Sequence, residues 1–151
     1  MTNVGVHQKG AFTVQDAIDN IKKDPKYPKA GAIALFIGVV RGETFEDEKV
    51  EKLTIEAYEE KAQETLTKIS DDLTQKHGIV NVQIHHLLGE FNVGDDLVYV
   101  AVAGSHRQDV FPVLREAVER YKSEVPVFKK EHITSKQGKP KEYWVSEKHS
   151  H

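Results

Sequence analysis

Two short runs, "AIALFIGVV" at 32–40 and "LVYVAVAG" at 97–104, restrict the fold more than anything else in this chain. Both are apolar at almost every position and rich in β-branched residues. Their length suits a strand, and unbroken rather than alternating apolarity suits a strand covered on both faces. Gly38, inside the first run, marks a bulge or a close approach of backbone.

The remaining segments supply the cover. "TVQDAIDNIKK" opens with Thr13 as an N-cap and Asp16 three residues on, the spacing of a capping box, and Val14, Ala17, Ile18 and Ile21 share one face. "EEKAQETLTKISDDLTQKHG" is the clearest helix. Its stripe runs through Tyr58, Ala62, Leu66, Ile69 and Leu73, with Gly78 as its C-terminal stop. A third helix follows "SHRQ", with Asp109 as cap, Pro112 in the first turn, and Phe111, Leu114, Val118 and Tyr121 as its buried stripe.

Further strands are expected from about Val50 to Tyr58, in "IVNVQIHHLLGEF", in "VPVFKKEHI" with Pro126 at its start or on an edge, and in a short "YWV". "NVGDD" is a hairpin turn, and "DPKYPKAG" and "SKQGKPKE" are loops. Helices set among hairpin-connected strands make the fold class α+β. With no repeat, linker or low-complexity tract, 1–151 reads as a single domain, with 146–151 as a tail.

Composition narrows the chemistry. Cysteine is absent, which removes disulfides, thiolate ligands and a cysteine nucleophile together. Any sulfur handled here must arrive on a partner or a substrate. No apolar run is long enough for a transmembrane helix, and "MTNVGVHQKG" lacks a signal-peptide core, so the cytoplasm is the expected compartment. A net charge of −3 argues against nucleic acid as the main partner. That charge is uneven: residues 120–141 hold seven Lys or Arg against two Glu. Such a segment is either a solvated basic loop or a localised anion site.

His106 and Arg107 lie where a buried strand gives way to a helix, and helix N-termini and guanidinium forks both favour anions. Arg107 paired to Asp109 is the plainer alternative. Lys122 sits at the edge of the third helix's buried stripe. Lys129 and Lys130 alternate on their strand, so one faces the core side and the other solvent. A lysine that is partly desolvated beside other cations becomes usable as a nucleophile or proton carrier; a solvated lysine only shields an edge. Arg41, before Gly42 at a strand end, is open to either reading. His85 and His86 project to opposite strand faces and cannot share an ion there, and the tail pair His149 and His151 could bind metal only adventitiously. No metal-binding, P-loop, GxGxxG or GxSxG spacing occurs, so neither a metal nor a cofactor is expected.

In order along the chain, "GAIALFIGVVRG" (31–42), "LTIEAYEEKA" (53–62), "IHHLLGEFNVGD" (84–95), "GSHRQDVF" (104–111), "YKSEVPVFKKE" (121–131) and "YWV" (143–145) together resemble the family of large, catalytic subunits of molybdopterin synthase. The resemblance implies an α/β-hammerhead fold with an additional antiparallel sheet. It implies a sulfurtransferase that converts cyclic pyranopterin monophosphate (precursor Z) to molybdopterin. The sulfur would come from the C-terminal Gly-Gly thiocarboxylate of a small ubiquitin-like subunit. It also implies a homodimer within a heterotetramer. Carried over by motif, Lys122 and Lys129 are the catalytic pair, Arg41, His106 and Arg107 bind the pterin phosphate, and Lys130 is a possible further contributor. His106 and Arg107 are expected to reach the site from the neighbouring subunit. His86 departs from the arginine common at that position and is left out of the site. The other readings are a non-catalytic module docking a ubiquitin-like partner and a small-anion binding protein.

Overall fold

The computed structural model describes residues 3–44 and 46–145; the expected tail, 146–151, lies outside the described residues. The elements run β1 (Val4–Gln8), α1 (Val14–Lys22), a short 3-10 turn (Tyr27–Lys29), β2 (Ala32–Val39), β3 (Lys49–Ala57), α2 (Glu59–Thr74), β4 (Ile79–Asn92), β5 (Asp96–Gly104), α3 (Arg107–Glu124), β6 (Val127–Thr134) and β7 (Pro140–Trp144). The strands hydrogen-bond in the order β2-β5-β4-β3-β6-β7, and β1 adds parallel to β4. Every pairing along that path is antiparallel, the α+β architecture expected.

The long strand β4 is the spine. Residues from Ile79 to His86 pair with β5, while Gly89 to Asn92 pair with β3. The change of partner falls at Gly89, whose φ of +125° suits glycine and few other residues. The two faces of β4 are covered differently. On one, α1 places Ile21 against Val80, Ala101 and Ala103. On the other, α2 and α3 bury Leu66, Ile69, Leu73, Val113, Ala117 and Tyr121 against a larger core with Val82, Ile84 and Val100.

The capping box of α1 forms as its spacing predicts, with Asp16 N–H donating to Thr13 Oγ1 and Thr13 N–H donating to Asp16 Oδ2. The bulge also falls as expected: the β2–β5 register shifts at Gly38, where an added Cβ would lie 2.6 Å from Val98 Cγ1.

Other expectations are corrected. β5 is buried throughout, but β2 is covered on one face only: α3 packs against it, whereas α1 packs over β4 and β5. Its Ile33, Leu35, Ile37 and Val39 stand 37–45% exposed. Helix α2 ends at Thr74, and Gly78, with φ +76°, serves the turn into β4 instead of stopping the helix. Tyr58 is its exposed N-cap, so the buried stripe begins at Ala62.

Helix α3 starts at Arg107 with His106 as its N-cap; Asp109 is inside the helix, and Pro112 lies beyond the first turn. The buried stripe is Val110, Val113, Ala117 and Tyr121, leaving Phe111 exposed. The physical reason is proximity. An added Cβ on Gly104 would lie 2.8 Å from Val110 Cγ2, and a helix so near its sheet must present small side chains. Strand β1 was not expected. Pro126 precedes β6, which lies between β3 and β7 and is not an edge, and β7 begins three residues before "YWV".

Candidate active site

Strand β6 alternates its burial. Lys129, Glu131 and Ile133 face inward, at 7%, 3% and 1% exposure, opposite Ile55, Leu53 and Val50 of β3. A lysine and a glutamate buried side by side on a strand face are costly unless partnered. Glu131 Oε2 accepts a hydrogen bond from the Tyr143 hydroxyl at 3.2 Å. Burial, followed by the charge of Glu131, pushes that phenol up to about 12.

The outward face of β6 is different. Lys130 lies 5.5 Å from the Trp144 ring centre and 3.9 Å from Glu142. The expected split between Lys129 and Lys130 is therefore observed, and it sends Lys130 away from the buried pair.

His86, on β4, is fully enclosed. Its Nδ1–H donates to the Leu87 carbonyl at 3.0 Å, the Tyr121 ring meets it edge-on at 5.8 Å, and Nε2 has no hydrogen-bond partner among the described residues. Its basicity is pushed down to about 3, first by burial and then by the charges of Lys129 and, more weakly, Lys122. Two ammonium groups, one from β6 and one from the last turn of α3, thus act on the same buried imidazole. Lys122 is half-buried beside Tyr121.

Helix α3 sorts the remaining candidates. Its start lies at Gly104, through Val110, and its end lies at His86, which pairs with Val98 near the beginning of β5. The helix therefore runs back along β5. Val39 pairs with Asp96, so Arg41, exposed just past β2, lies at the same end of the molecule as Lys122. His106 and Arg107 lie at the other end, both exposed, with His106 Nδ1 3.6 Å from Asp109 Oδ2. Fifteen helical residues separate Arg107 from Lys122, a rise of about 22 Å. A single chain brings Lys122, Lys129 and Arg41 to one end and keeps His106 and Arg107 apart from them.

His85 faces the opposite side of β4, in agreement with the sequence reading. Its Nδ1 lies 2.9 Å from His7 Nε2, and its Nε2 lies 2.8 Å from Gln83 Oε1. Gln83 in turn donates to Asn81 and Asn3. Burial, then the neighbouring His7, pushes His85 down to about 3.

A half-buried and a buried cation from separate elements, set against apolar walls, can attract an anion and activate a lysine as nucleophile or proton donor. Sequence reasoning left out His86 and the Glu131–Tyr143 pair. The signal available for His86 was a polar doublet inside an otherwise apolar strand.

Residues 7–124 match the family described as MoaE protein. A probable molybdopterin synthase from Haloferax volcanii is 35% identical over 137 residues, 90% of this chain and 51% of that protein, so the chain spans about half the length of that relative. The molybdopterin synthase catalytic subunit of Pyrococcus abyssi is 33% identical over 134 residues, 89% of this chain and 84% of that protein. Among solved structures, molybdopterin synthase from Staphylococcus aureus has a TM-score of 0.80 at 29% identity, covering 97% of this chain and 98% of its own. A chain from the complex of subunits 1 and 2 of the Helicobacter pylori molybdopterin-converting factor shares the fold, with a TM-score of 0.73 at 19% identity over 99% of this chain and 94% of its own.

Proposed function

The chain belongs to the MoaE protein family, and on that premise we propose that it is a molybdopterin synthase catalytic subunit. Its reaction moves sulfur from the C-terminal thiocarboxylate of a small ubiquitin-like subunit onto cyclic pyranopterin monophosphate. The observation that carries this reading is the placement of buried Lys129 and half-buried Lys122, whose charges both lower the basicity of His86, at the end of the molecule where Arg41 also lies.

Both reactants are anionic, and a cationic site with apolar walls draws them together. Lys122, at the rim, meets the inserted peptide tail and either stabilises charge on its acyl carbon or takes the acyl group transiently. Lys129, deeper, acts as general acid or base as sulfur replaces oxygen on the pterin side chain. Arg41 holds the phosphate, together with His106 and Arg107 of a second copy. The separation along α3 is the reason for invoking a second copy. The exposed apolar face of β2, an edge strand, is the surface on which two copies would meet. The sulfur is carried in by the partner, which suits a chain without cysteine.

The test is to combine the protein with a thiocarboxylated ubiquitin-like partner and precursor Z and to measure molybdopterin formation. Binding of the partner without product would instead favour a docking module. Mixing His106→Ala chains with Lys122→Ala chains should restore part of the activity if sites are shared between copies. No restoration would put the whole site within one chain.

A further inference from the structure

Strands β3, β6 and β7 carry a second group of polar side chains, on the face turned away from Lys129. Thr54 lies between buried Leu53 and Ile55 and so points to that outer face, where its Oγ1 is 2.9 Å from His132 Nε2. His132 Nδ1 is 2.7 Å from Glu142 Oε2. An ionised carboxylate can only accept, so the Nδ1–H donates to it. In the neutral ring the lone pair then sits on Nε2, and the Thr54 hydroxyl must donate there. Hydroxyl, imidazole and carboxylate thus stand in the order that activates a hydroxyl as a nucleophile. Polar pairs between neighbouring strands are common, but two further features adjoin this chain of groups. His132 and Glu142 line a cleft of about 650 Å³ together with Lys52, Lys141, Asn92 and Glu51, a size that holds a small molecule. Lys130 is directly opposite Thr54 in the β3–β6 register and 3.9 Å from Glu142, which sets ammonium charge on the same face.

We propose that Thr54, His132 and Glu142 form a second catalytic site, one that hydrolyses small carboxylic esters bound in this cleft. Thr54 Oγ1 attacks the ester carbonyl carbon while its proton passes to His132 Nε2. The ester C–O bond breaks, and the departing alkoxide takes that proton and leaves as the alcohol. The acyl group is now held on Thr54. Water attacks it, again giving a proton to Nε2; the acid departs and the Thr54 oxygen recovers its proton. Ester and water become acid and alcohol, with no oxidant or reductant. Glu142 fixes the ring and offsets the imidazolium charge, and Lys130 supplies positive charge beside the carbonyl oxygen. The site shares β6 with Lys129 but not its face, so it works apart from sulfur transfer.

The test treats the full chain with diisopropyl fluorophosphate and, separately, with p-nitrophenyl butyrate, without pterin or partner. Wild type should carry the phosphoryl adduct on Thr54, read by peptide mass spectrometry, and should release p-nitrophenol over many turnovers. Thr54→Val keeps the β-branched shape that suits a strand and should abolish the adduct. His132→Gln should slow both reactions by at least ~10²-fold, the usual share of acid–base help. Glu142→Gln, whose amide can donate to Nδ1 and favour the other tautomer, should slow both as well. Each variant is checked for folding by its thermal transition, and the wild-type adduct depends on no variant. Wild type with adducts on other side chains but none on Thr54 overturns the proposal. So does ester hydrolysis undiminished in folded Thr54→Val. Neither probe involves sulfur transfer, so the result is judged whether or not the protein makes molybdopterin.

Discussion

His85 and His86 are neighbours in one strand, equally enclosed, and pushed to the same low basicity, yet they belong to different kinds of site. Toward α1, His85 has a partner on each nitrogen, inside a chain of amides that ties β1 to β4. Toward α3, His86 has one nitrogen partnered, with lysine charges acting on it. A buried polar group with all its partners in place rigidifies; one left incomplete beside charged groups keeps a lone pair that a ligand can meet. Low basicity alone would not have told the two apart. The census of partners does.

Four measurements break or sharpen this contrast. On the His86 side, Lys129→Ala or Lys122→Ala should reduce sulfur transfer per folded molecule by at least ~10²-fold while leaving partner binding nearly intact. Undiminished turnover in both variants removes the catalytic assignment. On the His85 side the pattern should reverse. His85→Leu leaves His7 and Gln83 without their bonds and should cost about 2–4 kcal/mol in chemical denaturation, with turnover per folded molecule retained.

The same two rings set a pH dependence. The unfolded chain protonates both near 6.5, whereas the folded chain holds them neutral down to about 3. Their contribution to stability is therefore complete above pH 6.5 and declines as pH falls toward 3. Denaturant titrations between pH 7 and 5 should show that decline, and His85→Leu should make it shallower. The smallest effect belongs to neither side. Lys130→Ala loses an exposed, long ion pair and a ring contact, worth under ~1 kcal/mol, and its loss of turnover should stay below tenfold.

The sequence made local features legible wherever local chemistry decided them. The Thr13 capping box, the bulge at Gly38 and the opposite facing of Lys129 and Lys130 all follow from spacing over a few residues. What escaped depended on distant parts of the chain. Whether Phe111 or Val110 faces inward is set by how near α3 lies to Gly104, and both phases are helically periodic. The bare face of β2 could not be foreseen, because unbroken apolarity signals cover on both faces whether or not the chain itself provides it. The parallel seat of β1 against residues 84–88 is a long-range pairing with no turn to announce it. At the candidate site, Lys122 and Lys129 stood out from their local pattern, but only family motifs gave them a catalytic role. The incomplete partnering of His86 requires three elements to be placed at once.

Because β4 changes partner at Gly89 without a break, it leaves no seam along which the protein could melt in halves. The β5 side and the β6 side draw on one continuous ladder, so opening either strips hydrogen bonds from the strand that anchors the other. Cooperativity in this molecule is written into a single fourteen-residue strand, and the lysine end should hold its shape only as long as the end bearing His106 and Arg107 does.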